Sequence, residues 1–229
     1  MALTTAAVIP ARDEAATLPQ TIRALLAAVN PSRIVVADDG SRDATPELSR
    51  NLGAEVVPAS PPGRHAGKGH ALRLGLLEAR KSNPDAVLLA DADLGGSARL
   101  LADLLAALTE ARPVAVAAFP PATRGGFGLV KGFARREISR RTGYTSSEPL
   151  SGQRALLTPA LDALQRGIAP GFGAEVGMTL DLLAAGIKPL EIPLPLTHRP
   201  TGRTIPGFAH RARQGLDIAR ALRGARIPW

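Results

Sequence analysis

The chain has 229 residues, 28 Lys and Arg against 20 Asp and Glu, and no cysteine, for a net charge of +8 and a pI near 11.0. It is long enough to bury one substantial core. The lack of cysteine excludes disulfides, thiolate catalysis and Cys-ligated zinc, and no apolar run approaches the ~18 residues of a membrane span. The positive surplus suits anionic partners, or reflects only a GC-rich genome, while 3% aromatic residues leave few stacking platforms, so nucleic acid is not expected. No internal repeat or low-complexity segment divides the chain, which reads as a single domain, 1–229. Its start, MALTTAAVIPARDE, has no basic leader, so residence in the cytoplasm is expected.

Strand and helix signals alternate along the first half. A strand over Ala6–Ile9 precedes a helix over Thr17–Val29, in which Leu18, Ile22, Leu25, Leu26 and Val29 recur at three and four residues. A strand over Arg33–Ala37 leads to a helix over Thr45–Leu52 with Pro46 in its first turn. A strand over Glu55–Val57, a Pro/Gly loop over Ser60–Gly67 and a helix over Lys68–Lys81 follow. A strand over Ala86–Ala90, a helix over Ser97–Glu110 and a strand over Val114–Ala118 complete the run. Repeated βα units imply an α/β fold with a mostly parallel sheet flanked by helices. Beyond Phe119 the pattern loosens, with a helix over Glu175–Ala185 and a strand over Pro189–Leu194.

Three of the early strands end in polar groups. Val87-Leu88-Leu89-Ala90 runs into Asp91-Ala92-Asp93, and Ile34-Val35-Val36-Ala37 into Asp38-Asp39-Gly40-Ser41. The first strand exits through Pro10-Ala11-Arg12-Asp13-Glu14. In open α/β sheets ligands bind outside the carboxyl ends of the strands, so the three ends are expected to face one crevice. If the strand continued, Asp91 and Asp93 would point to the same side, where hard oxygen donors suit Mg²⁺ or Mn²⁺. The plainer alternative is a solvated turn after a strand.

Gly63–Gly69 superficially looks like a phosphate-binding P-loop but fails on count and chemistry. Three residues, where four are needed, separate Gly63 from Gly67, and Gly69 stands where Ser or Thr would hold Mg²⁺. Lys68 instead opens a helix, where its ammonium and the helix N-terminal amides can meet an anionic ligand, or where it is simply a surface lysine.

VIPARDE, VVADDGSRDAT, GKGHALRLGL and LLADADL, in this order and spacing, resemble the nucleotide-sugar-binding half of family 2 glycosyltransferases with the GT-A (Rossmann-like) fold. The resemblance is nearest to the branch of dolichyl-phosphate mannose synthases and other polyprenyl-phosphate glycosyltransferases. It continues through SGQRAL and GFGAEVGMTLDLLAAGIKPLEIPL to about Arg203. It implies a nucleotide-sugar half over 1–118, an acceptor half over 119–207 and a basic amphipathic helix over 208–229. It also implies a UDP- or GDP-sugar donor, Mg²⁺ or Mn²⁺ as cofactor, and a phosphorylated acceptor such as a polyprenyl phosphate. The alternatives are a small soluble phosphorylated acceptor such as a glycerate, or a non-catalytic nucleotide-binding module.

By the same resemblance Pro10, Ala11, Arg12 and Glu14 lie where the base and ribose bind, though Glu14 can equally be an acid that stabilises the following helix. One of Asp38 and Asp39 contacts base or ribose, with the Gly40-Ser41 turn letting it approach the backbone, while Asp39 can instead anchor the turn. Lys68 lines the nucleotide site. Asp91 and Ala92 lie near the ribose or metal, and Asp93 is on the metal. His198 is the applicant for a further metal ligand, and Arg199 and Arg203 are phosphate clamps through their paired guanidinium donors.

On the acceptor side Glu175 is a catalytic candidate or an ordinary first-turn acid, and Asp181 a surface charge. Gln153 and Arg154 are acceptor contacts, with a rim charge as the alternative for Arg154. The basic stretch Gly125–Arg141 reads as a flap over substrate. The segment Phe208–Trp229 reads as a basic amphipathic helix, either lying on the anionic inner face of a membrane or packing Leu216, Ile218 and Leu222 onto the domain. A homodimer is a further expectation.

Overall fold

The computed structural model describes residues 3–119, 128–197 and 205–229, with only the backbone described for 205–213. Seven strands form one sheet: β1 (Thr5–Ala11), β2 (Arg33–Asp39), β3 (Glu55–Ser60), β4 (Ala86–Leu89), β5 (Val114–Ala118), β6 (Arg154–Leu157) and β7 (Leu190–Pro193). Their order across the sheet is β3-β2-β1-β4-β6-β5-β7. Only β6 runs against the rest, antiparallel to both β4 and β5. The chain leaves β1 toward β2 and β3 on one side and β4 on the other, so the order reverses between β1 and β4, the place where such sheets open a crevice.

Alternation along the strands builds two cores. Ala7, Ile9, Ile34, Val36, Leu88 and Ala90 point to the face covered by α1 (Leu18–Ala28) and by a 3-10 turn over Gly95–Leu101 that runs into α4 (Ala102–Ala106). Ala6, Val8, Val35, Val87 and Leu89 point to the opposite face, where α3 (Lys68–Arg80) presents Leu72, Leu76 and Ala79 and α7 (Ala174–Ala184) presents Met178 and Leu182. Burial on both faces explains why these strands read as unbroken apolar runs. Each fully buried Leu or Ile contributes roughly 1.5–3 kcal/mol. α2 (Thr45–Asn51) connects β2 to β3, and the short α6 (Thr158–Leu161) follows β6.

A third cluster joins Ala134 and Ile138 of α5 (Gly128–Thr142), Val176 of α7, and Ile218 and Leu222 of α8 (Ile205–Leu222). Packing of Ile218 and Leu222 onto the domain therefore holds, whereas Leu216 is exposed. The helix expected to reach Trp229 stops at Leu222, and Gly224 takes φ +86°. The chain then turns back: Ile227 pairs with Ile168, and the Trp229 indole N–H donates to the Leu164 carbonyl at 2.7 Å. Arg226 makes a two-pronged bond to Asp181, at 2.7 Å for each contact, which makes Asp181 a tertiary anchor and not a surface charge. The single helix expected over Ser97–Glu110 is a 3-10 segment followed by a short α-helix.

The flap expected over Gly125–Arg141 is also different where it is described. From Gly128 it is the helix α5, whose Lys131 pairs with Glu148 and whose Arg135 guanidinium donates to the Ser146 and Ser147 carbonyls. These cations hold the following loop.

Candidate active site

The polar strand ends do gather at the carboxyl edge, but they sort to the two faces of the sheet by the same alternation that builds the cores. Asp38 follows Val36 on the α1 face, and Asp39 follows Ala37 toward α3. Asp38 is buried and accepts from both the backbone N–H and the hydroxyl of Ser41. Ser41 in turn accepts from the Asp13 N–H at 3.0 Å, and Asp13, at φ +54°, accepts from the Arg42 N–H at 2.7 Å. Glu14 continues this stitching. Its N–H donates to Thr45 at 2.8 Å, and its carboxylate accepts from the Thr17 hydroxyl at 2.6 Å just ahead of α1, in line with the plainer reading of that residue. The exits of β1 and β2 thus brace each other.

Asp39 anchors the loop before α3, accepting from the Ser60 hydroxyl at 2.6 Å and the N–H groups of Ala66 and Gly67 at 2.8 and 2.9 Å. That loop closes over Gly40, where a Cβ would lie 2.0 Å from the Arg64 carbonyl oxygen and 2.6 Å from that of Pro61. The Gly40-Ser41 backbone is therefore packed by protein and is not open to a base. Ala11 and Ala92 are buried in the α1-face core, so their side chains are not offered to a ligand. Pro10 is partly buried and Arg12 is exposed, with its guanidinium 3.6 Å from Asp13.

Asp91 and Asp93 part company. β4 ends at Leu89, so strand alternation no longer governs the turn that carries Asp93. Asp91 accepts from Lys68 Nζ at 2.6 Å and from the Gln153 amide at 2.5 Å. Asp93 instead lines a cleft of about 670 Å³ with Thr17, Gln20, Ser97, Arg99 and Thr197. The expectation that both acids share one side is corrected by this break in the strand.

Lys68 also contacts Glu175 at 2.8 Å, so one ammonium bridges a carboxylate beyond β4 and another in the first turn of α7. The Glu175 side chain is 4% exposed, against 23% for Lys68 and 25% for Asp91. Burial alone would lower the Lys68 pKa, but the charges of Asp91 and Glu175 outweigh it and hold the pKa above its ordinary value. Gly152 sits directly on this pair: a Cβ there would stand 2.7 Å from Lys68 Nζ and 2.9 Å from Asp91 Oδ1. Glu175 is thus a buried ion-pair partner and not an open base.

Gln153 and Arg154 are corrected in the same way. Gln153 is fully buried and orients Asp91. Arg154, 1% exposed, donates to the Ser151 carbonyl, the Thr179 hydroxyl and the Glu175 carbonyl, each at 3.0 Å. Burial lowers its pKa to about 10, opposed by the charge of Glu175. Buried in this way, it is not a rim charge, and its guanidinium is held by protein groups. It ties the loop before β6 to α7, and so sets Glu175 opposite Lys68.

Three residues that bear on the site carried no usable signal in the sequence reading. Glu191 on β7 accepts from Ser146, Ser147 and the Glu148 N–H; burial raises its pKa, but these hydrogen bonds outweigh that and leave it lowered. Asp217, the one acid in the α8 sequence, is buried and accepts from the Phe172 N–H at the turn before α7. Ser97 meets Thr197 across 100 residues. His198, Arg199 and Arg203 lie outside the described residues. Among the described residues no cluster of three or more His, Asp or Glu side chains is placed to hold a metal ion.

A family model described as glycosyl transferase family 2 matches residues 6–157. The chain belongs to glycosyl transferase family 2. It is a glycosyltransferase with the GT-A fold, and its seven-strand, mostly parallel sheet is the family architecture. Similar solved structures include glucosyl-3-phosphoglycerate synthase from Mycobacterium tuberculosis in complex with Mn²⁺, UDP and glucosyl-3-phosphoglycerate. That structure is 25% identical with a TM-score of 0.73, over 98% of this chain and 81% of that one. The same synthase with Mn²⁺, UDP-glucose and phosphoglyceric acid matches at 26% identity and TM-score 0.72, over 98% and 81%. With phosphoglyceric acid alone it matches at 25% and 0.74, over 97% and 79%. A search of curated protein sequences gave no match. The dolichyl-phosphate mannose synthase branch is not singled out by these similarities. No helix among the described residues is long and apolar enough to cross a membrane.

Proposed function

We propose that this glycosyltransferase uses a divalent cation to move a glycosyl unit, glucose from UDP-glucose being the first candidate, onto a small phosphorylated acceptor of the glycerate type. The observation that carries this reading is the similarity to a synthase of that description over 98% of the chain, which takes in both the donor-side strand ends and the elements beyond β5. It favours the soluble acceptor over a polyprenyl phosphate, and it requires neither membrane contact nor a homodimer. The proposed halves interlock: β6, from the acceptor side, lies between β4 and β5, and Gln153 just ahead of it holds Asp91.

In the reaction the bond from the anomeric carbon to the diphosphate oxygen breaks, the acceptor hydroxyl oxygen bonds to that carbon, and the hydroxyl proton is released. A divalent ion suits the donor set in a limited way. Asp93, which lines the cleft beside α1, is the carboxylate proposed to hold the ion, while Asp91 accepts from Lys68 and Gln153. Mg²⁺ and Mn²⁺ sites built from one carboxylate and substrate phosphates are common. When bound, the ion supplies Lewis-acid stabilisation of the leaving diphosphate. His198 completes the proposed metal set, and Arg199 and Arg203 are proposed to bind the diphosphate. Lys68, Glu175, Gln153 and Arg154 act as positioning residues that hold Asp91 and the start of α7 in register.

The test is calorimetry with UDP-glucose and other nucleotide sugars in Mn²⁺ or Mg²⁺, together with transfer assays offering 3-phosphoglycerate or a polyprenyl phosphate. Asp93→Asn should lose metal-dependent donor binding while keeping the melting temperature within a few degrees. Unchanged binding removes the metal assignment, and transfer to the polyprenyl phosphate alone overturns the acceptor.

A further inference from the structure

The turn that leads into α7 is squeezed between two helices, and an acid from one of them fills the space where a side chain would stand. Gly171–Gly173 forms a single 3-10 turn closed by the Gly173 N–H on the Pro170 carbonyl at 3.1 Å, and Gly171 takes φ +54°. On the α8 side a Cβ at Gly171 would lie 2.0 Å from Asp217 Oδ2, and one at Gly173 would lie 2.5 Å from the Asp217 carbonyl oxygen. Asp217 is 6% exposed; its Oδ2 accepts from the Phe172 N–H and its Oδ1 from Arg220, each at 3.3 Å. On the α3 side a Cβ at Gly69 would lie 2.1 Å from the Ala169 carbonyl oxygen and 3.1 Å from the Gly171 nitrogen. Lys68 directly precedes Gly69, and Glu175 stands two residues past Gly173, so the same close approach brings their side chains to 2.8 Å.

We infer that Asp217 is a positioning residue for glycosyl transfer: from α8 it holds the Gly171–Gly173 turn against the start of α3, and so keeps Glu175 on Lys68, the ammonium that also meets Asp91. This deepens the proposed function and rests on it. The physical basis is twofold. A buried acceptor on a backbone N–H fixes a turn that glycine by itself leaves free to take other backbone angles. An ion pair between mostly buried groups, for its part, offsets their desolvation only when its geometry is held closely. A simple pairing of Asp217 with Arg220 explains less, because the Arg220 side chain is 62% exposed and such a pair contributes little.

The test is a double-variant cycle on the full chain, read by urea unfolding at neutral pH and by transfer from UDP-glucose to 3-phosphoglycerate with Mn²⁺. Asp217→Ala removes the acceptor, and Asp217→Asn keeps one oxygen for the Phe172 N–H. The rise in the unfolding constant caused by Asp217→Ala should be about tenfold smaller in a Glu175→Gln background, because no charge is then left to hold in place. Transfer, read as kcat/KM, should fall about tenfold in Asp217→Ala and stay within about twofold of the parent in Asp217→Asn. Unfolding effects of Asp217→Ala and Glu175→Gln that simply multiply overturn the positioning role. So does an Asn variant as impaired as Ala, or unchanged transfer in Asp217→Ala beside an active parent. Asp217→Leu, close in shape to Asp but without an acceptor, takes the place of Ala in the cycle if Ala does not fold. Loss of folding in both assigns Asp217 to stability alone and overturns the role. If the parent transfers nothing from UDP-glucose, the proposed function fails, and the unfolding cycle still decides whether Asp217 holds the pair.

Discussion

Replacing Lys68 by Met keeps the apolar stem of the side chain, one atom shorter, and removes the charge that two carboxylates share. Its Nζ lies 2.6 Å from Asp91 and 2.8 Å from Glu175, and the Glu175 side chain, 4% exposed, has almost no access to water that could replace the lost partner. Breaking a buried pair costs 3–5 kcal/mol when the remaining charge is fully enclosed. Asp91 is a quarter exposed and recovers some hydration, which places the expected loss at the low end, about 3 kcal/mol, or roughly 6–12 °C in melting temperature for a domain of this size. Urea unfolding at neutral pH measures it. The decisive companion is Lys68→Met with Glu175→Gln, which removes the stranded charge along with its partner and should recover about half of the loss. A single-variant loss below about 1 kcal/mol, or a double variant no better than the sum of the singles, would refute the view that the triad is a desolvated unit.

Gly152→Ala should cost about 1–2 kcal/mol because the added methyl must push Lys68 Nζ or the Asp91 carboxylate aside, and most of that penalty should vanish in the Lys68→Met background, as paired unfolding curves would reveal. Arg154→Met strands the Ser151 carbonyl and removes one of the bonds to the Glu175 carbonyl and the Thr179 hydroxyl, which still bond each other, for an expected loss of about 2 kcal/mol by chemical denaturation. The Glu191 carboxyl titrates below its ordinary 4.5 in the folded chain, so it stabilises above that pH and the contribution drains away as pH falls through the folded value. Glu191→Gln should therefore melt lower than the parent at pH 7 and lose less between pH 4.5 and 2.5; parallel melting curves would count against the anchor role.

Much of the architecture was legible because the signals were local. The apolar runs ending in Pro10, Asp38 and Asp91 are strands buried on both faces, and the three- and four-residue spacing in α1 sets which side meets the sheet. The break of the expected Ser97–Glu110 helix into a 3-10 turn, and the end of α8 at Leu222, follow from tertiary contacts. The first packs its turn on α1, and the second is capped by a tail that Arg226 and Trp229 fasten elsewhere.

Individual roles within the site were less legible. Gln153, Arg154 and Glu175 read as exposed reagents because polar residues in a glycine-rich stretch carry no mark of burial, yet packing of α7 against α3 and β6 encloses all three. Glu191, Asp217 and Ser97 carry no local signal because their partners lie 44, 45 and 100 residues away.

The order of residues alone determined the strand-helix alternation, the family and the set of polar strand ends, since each depends on a repeat of two or 3.6 residues or on a short contiguous motif. Tertiary structure decided which carboxylate faces which cation. β4 stops at Leu89, and the side to which Asp91 and Asp93 turn depends on what packs above the end of the strand: Lys68 from α3 for the first, the cleft beside α1 for the second.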